Sequence, residues 1–155
     1  MKGIAVIGCG NTLMKDDGIG VYVVREIKKR NVFKGIDIID VGTPGIDLIY
    51  LMSLYAKIVI VDAMKSGIKV GSVKIIDSNR LSSLRKLPVS LHGLDLSLVI
   101  EIAKETGIKV SKIKIIGIEV NEIDSPKEGL SDDIKKKFNI IVEEVVEILR
   151  REGLS

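Results

Sequence analysis

The sequence predicts an α/β domain, a three-layer sandwich in which a mostly parallel, twisted sheet of about five strands carries helices on both faces. Two observations lead there. Short, almost purely apolar runs, Ile4 to Ile7, Ile58 to Val61 and Ile113 to Ile118, read as strands covered on both faces, as parallel strands are. Longer segments of helical period separate them, in the alternation that parallel crossovers require.

Taken in order, Ile4 to Ile7 is the first strand. Ile19, Val23 and Ile27 then recur at i, i+4 and i+8, with Arg25, Glu26, Lys28 and Lys29 elsewhere on the same helix. Ile36 to Val41 is a second strand and Ile58 to Val61 a third, with a helix between them. Val70 to Ile76 is a fourth strand, more polar than the rest. Leu94, Leu98 and Ile102 predict a helix that stops at Gly107. Ile113 to Ile118 is the fifth strand, and the loop from Asn121 to Gly129 reads as an ordinary surface connection. The last helix starts at Ser131, a good N-cap, with Asp132 and Asp133 complementing the positive end of its dipole. Its predicted buried stripe is Ile134, Phe138, Ile141, Val145 and Ile148. Two heptads are too few for a coiled coil, so this helix is expected to dock on the sheet. No linker or repeat divides residues 1–155, which read as a single domain.

Composition narrows the function. With 155 residues, 46% of them hydrophobic, the chain can bury a sizeable core without disulfides or a structural metal. Aromatics are 3% and Trp is absent, so stacking platforms for single-stranded nucleic acid are lacking. The net charge of +3 is spread in mixed-sign clusters and forms no basic stripe. Nucleic acid is therefore not an expected partner. No apolar run approaches the roughly 20 residues of a membrane span, and the apolar run near Met1 is too short for a signal sequence. A single cysteine, Cys9, fits a reducing compartment, and the expectation is a cytoplasmic protein.

Three segments can carry chemistry. The first strand runs into Gly8-Cys9-Gly10-Asn11-Thr12-Leu13-Met14-Lys15-Asp16-Asp17-Gly18-Ile19-Gly20. A dinucleotide-binding turn would need a third glycine at position 13, where Leu13 stands, and Asp16 and Asp17 occupy the place of a phosphate. An acidic helix start is the plain structural alternative. Next, Asp62 closes the third strand, where an ionised carboxylate needs a partner and where open α/β sheets collect ligands. The third is Ser90-Leu91-His92, at the entrance to a helix, with the only histidine of the chain. A parallel sheet places Asp17, Asp62 and His92 on one edge. If they converge, two carboxylates and an imidazole suit a divalent nickel, zinc or manganese ion with positions left open for a substrate. Cys9 is a possible nucleophile, but it directly follows a buried strand, where small cysteines usually pack.

With these segments assembled, the chain resembles the hydrogenase maturation endopeptidase family, which trims the C-terminal tail from the precursor of the large subunit of nickel-iron hydrogenases. The residues that carry the likeness are Gly8, Gly10, Asn11, Leu13, Asp16, Asp17, Gly18 and Gly20, then Asp62-Ala63, then Ser90, His92 and Leu94. Asp40-Val41-Gly42-Thr43-Pro44-Gly45 is similar to the family's Gly-Thr-x-Gly loop, with Pro44 as a departure. The likeness extends to about Leu149. It implies that Asp17, Asp62 and His92 are both the metal-contacting and the catalytic residues. Asp16 is an alternative to Asp17, which stands where some members have Glu. It further implies that Gly42, Thr43 and Gly45 shape a substrate cleft. The implied metal is nickel brought by the substrate, with zinc or cadmium as substitutes in crystals. The implied partner is the hydrogenase large-subunit precursor, met by a monomer. A nucleotide- or cofactor-binding module, or a non-catalytic carrier of nickel or of the immature subunit, are the alternatives.

Overall fold

The computed structural model describes residues 2–77, 96–109 and 112–155, the side chains of 96 and 97 excepted. Its strands are β1 (Lys2–Cys9), β2 (Asp37–Gly42), β3 (Tyr55–Met64), β4 (Val73–Asp77) and β5 (Lys112–Glu119). Its helices are α1 (Ile19–Arg30), α2 (Ile46–Leu54), α3 (Leu96–Glu105) and α4 (Asp132–Arg151), and a 3-10 turn, Lys15–Gly18, precedes α1. The strand order is β2-β1-β3-β5-β4. β1 pairs in parallel with β2 and β3, and β3 with β5, while β4 lies antiparallel at the edge.

Alternation along the central strands builds the two cores. Val6, Val59, Val61 and Ile116 face one side, where α1 brings Ile19, Val23 and Ile27 and α4 brings Ile134, Ile141 and Val145. Ala5, Ile7, Ile58, Ile60 and Ile115 face the other, against Leu48 and Met52 of α2 and Val99 and Ala103 of α3. Each fully buried Val, Ile, Leu or Met side chain among them contributes about 1.5–3 kcal/mol of transfer free energy. The three-layer sandwich is thus as expected.

Three details differ from the sequence reading. Leu98 and Ile102 are 41% and 36% exposed; α3 buries Val99, Ile100 and Ala103 instead, an adjacent stripe with the same period. On α4, Phe138 and Ile148 flank the core, and Val142, Val146 and Leu149 join its centre. Finally, Asp62 does not end its strand. Residues 62–64 continue to pair with Gly117–Glu119 of β5, so the carboxylate sits inside the ladder.

The chain leaves β1 toward β2 on one side and returns to β3 on the other, so the order reverses at the carboxyl ends of β1 and β3. In open α/β sheets that crevice is where ligands bind. Among the described residues no helix is long and apolar enough to cross a membrane.

Candidate functional site

At the carboxyl end of β1 the chain folds back on itself, and its glycines are what allow it. Gly10 has φ +135, and a Cβ there would meet the Asp17 carbonyl oxygen at 2.1 Å. A Cβ on Gly20 would lie 2.2 Å from the Val61 carbonyl oxygen and 2.6 Å from that of Cys9. The first turn of α1 is therefore seated directly on β1 and β3, and this seating brings the acidic turn beside Asp62.

Asn11 organises the loop between them. Its side-chain oxygen accepts from the Leu13 amide at 3.0 Å, and its own amide donates to Asp17 Oδ2 at 2.9 Å. The Gly10 amide donates to the Gly42 carbonyl at 2.9 Å. The amides of Gly10, Asn11 and Leu13 are thus already engaged within the protein, which argues against the nucleotide reading. The same bond sets the Gly42–Gly45 loop against Gly10. Gly42 closes β2 at φ +67, with its amide donating to Asp40 Oδ1 at 3.1 Å. Thr43 is exposed, Pro44 is buried and Gly45 leads into α2.

Asp17 and Asp62 are 0% and 1% exposed. Burial pushes the Asp62 carboxyl well above the usual carboxylate range, and the negative charge of Asp17 pushes it further; the Ala63 amide, donating to Asp62 Oδ1 at 2.8 Å, works in the opposite direction. A buried acid whose ionisation is opposed both by burial and by a second buried acid is the reverse of a structural ion pair and is characteristic of functional sites. The Cys9 thiol is raised as well, by burial and then by Asp62 and Asp40. It is fully buried among the side chains of the second core, which agrees with a packing role and not with a thiolate nucleophile.

Asp16, the alternative to Asp17, is otherwise engaged. Its two oxygens accept from the Ser131 amide and hydroxyl, each at 2.7 Å. His92 lies outside the described residues, as do Ser90 and Leu94. The structure brings Asp17 and Asp62 together, and among the described residues no group of three or more His, Cys, Asp or Glu side chains is placed to hold a metal.

Two features were not anticipated. The Asn121–Gly129 loop is a scaffold for the acidic turn: the Asp16 amide donates to the Glu122 carbonyl, the Lys15 amide to that of Lys127, and Lys15 Nζ pairs with Glu122 at 3.0 Å. Glu119, 2% exposed, clamps the chain leaving β3 by accepting from the Ser66 amide and hydroxyl and the Gly67 amide. The position of Glu119 at the end of an apolar strand, like that of Asp62 within one, was a signal available in the sequence. The partners of Asp16 sit more than a hundred residues away and left none.

A family model described as hydrogenase maturation protease matches residues 21–148, a stretch that includes Asp62. A relative from Methanocaldococcus jannaschii is 33% identical over 148 residues, covering 92% of this chain and 93% of its own. The hydrogenase 2 maturation protease of Escherichia coli is 29% identical, covering 98% and 93% respectively. Among solved structures, the hydrogenase maturating endopeptidase HybD of E. coli superposes with a TM-score of 0.80 at 28% identity, over 100% of this chain and 96% of that one.

Proposed function

The chain belongs to the hydrogenase maturation protease family, and on that premise we propose that it removes the C-terminal extension from the nickel-loaded precursor of a nickel-iron hydrogenase large subunit, as a late maturation step. The observation that carries this reading is the pair of buried acids at the strand-order reversal, Asp17 and Asp62, near enough for the charge of one to raise the other. In this proposal nickel is part of the substrate, and His92 joins the two acids in contacting it. The residue set suits such a guest: a cation beside two buried acids offsets the cost of negative charge there, and oxygen donors with the imidazole that His92 would add accept a borderline divalent ion. Nickel bound in the precursor supplies Lewis-acid polarisation.

What this chain contributes is proton handling. Burial, and then the nearby Asp17, hold the Asp62 carboxyl well above the usual carboxylate range, so in this proposal Asp62 is the acid of the pair and Asp17 its base. Asp17 takes a proton from the attacking water and Asp62 supplies one to the departing amine, which is general acid–base hydrolysis. The Gly42–Gly45 loop, fixed to Gly10, borders the crevice on the β2 side and shapes the cleft for the tail. The proposal places this reaction in the cytoplasm, performed by a monomer; the lone, buried Cys9 supports a reducing compartment.

The test is the intact mass of the precursor. Wild-type protein is expected to shorten a nickel-loaded precursor and to leave a nickel-free one whole, while His92→Ala folds but leaves both whole. Cleavage by His92→Ala at the wild-type rate would remove His92 from the site. A wild-type protein that binds the loaded precursor without shortening it would be a carrier instead.

A further inference from the structure

We infer that the two adjacent acids divide the work: Asp17 belongs to the reacting pair, while Asp16 is a positioning residue, a strut that ties the acidic turn to the N-terminus of α4 through Ser131. This deepens the peptidase reading and rests on it where turnover is concerned. Asp16 is 1% exposed, and a buried carboxylate must have its charge answered. The Ser131 amide and hydroxyl supply two bonds of 2.7 Å, and the positive end of the α4 dipole lies behind them. Ser131 holds the helix as well, since its Oγ accepts from the Ile134 amide at 3.4 Å. One residue thus joins a 20-residue helix, docked on the sheet, to the turn.

The turn needs such an anchor. Lys15 stands at φ +44, a left-handed conformation that a lysine adopts only when its surroundings impose it. The bonds from Lys15 and Asp16 to Lys127 and Glu122 impose it here. More directly, the 3-10 turn is what carries Asp17 to Asp62, and lifting that turn away from β3 would separate the two acids. The strut opposes that movement from the far side of the turn. Without it Asp17 retains its chemistry and loses its placement, and a misplacement of about 1 Å can reduce turnover about a hundredfold.

The experiment compares Asp16→Asn, Ser131→Ala and Ser131→Thr in the full chain. Asp16→Asn leaves the Ser131 cap of α4 intact, and Ser131→Thr preserves both hydroxyl and amide. Asp16→Asn and Ser131→Ala are expected to lower kcat on nickel-loaded precursor roughly tenfold or more with KM unchanged, and Ser131→Thr to restore it. In parallel, amide hydrogen exchange at Asn11 and Asp16, whose bonds report the turn, is expected to accelerate about tenfold beyond any uniform change in the β1 and β3 amides. Unchanged protection at Asn11 and Asp16 in both weakening variants overturns the strut, whatever the protein cleaves. Wild-type kcat in both variants also overturns it. Failure of the wild type to cleave would count against the peptidase reading alone, because the exchange measurement needs no substrate.

Discussion

Strand β3 meets charge at both of its ends. Near its amino end, Lys57 and the neighbouring Lys114 of β5 converge on Glu152, just past α4. Near its carboxyl end, Asp62 faces another acid, Asp17. The hydrogen bond from Lys114, followed by the charges of Lys114 and Lys57, holds the Glu152 carboxyl below its ordinary value against a smaller opposing effect of burial. Burial and like charge hold Asp62 well above its own. The same sheet therefore uses ionisable groups to fasten one edge and accepts electrostatic conflict at the other. Only the second edge lies where the strand order reverses, and a conflict tolerated there is what chemistry needs from a carboxyl pair.

The contrast can be broken first at the packing that creates the conflict. Gly20→Ala forces a Cβ to within 2.2 Å of the Val61 carbonyl, which requires α1 to lift from β3. A loss of about 3 kcal/mol is expected, read as a Tm lower by about 10 °C in thermal unfolding. An unchanged Tm would mean that α1 is not seated on the strands as described. At the opposite edge the effect is smaller. Glu152→Gln should lose no more than about 1 kcal/mol near neutral pH, since these ion pairs are partly solvated. Because the folded-state pKa of Glu152 is lowered, its contribution is present above the unfolded value of about 4.3 and disappears as pH falls through the folded value. Wild-type and Glu152→Gln stabilities should therefore converge on acidification, and a gap that widened instead would contradict the ion-pair account.

Much of this arrangement was legible in the sequence because it rests on local pattern. The strands announce themselves as unbroken apolar runs, and Ser131 before two acids marks the start of α4. Asp62 stood out as a carboxylate in an otherwise apolar segment. What escaped was whatever depended on distant partners. Leu98 and Ile102 share the period of Val99 and Ala103, and only the docked position of α3 decides which stripe is buried. Asp16 and Asp17 are the same residue type one position apart. Ser131 and Glu122, which give Asp16 and its turn their place, are separated from them by more than a hundred residues. The glycines invite a nucleotide reading in one dimension. In three they prove to be contact points at which a helix touches two strands.

The central claim, that Asp17 and Asp62 are held together for catalysis at the expense of stability, is tested most directly by Asp62→Asn, examined for both melting and cleavage. Folding favours the protonated form of Asp62, because its folded-state pKa lies above the unfolded value of about 3.9. The stability that this proton brings is complete below that value and is lost as pH rises through the folded pKa. Asn never ionises and loses none of it. The account predicts that Asp62→Asn melts higher than wild type at neutral pH, that the difference closes below about pH 4, and that cleavage of nickel-loaded precursor falls by at least about a hundredfold. A variant that melts lower than wild type at neutral pH, or that still removes the tail at the wild-type rate, would contradict it.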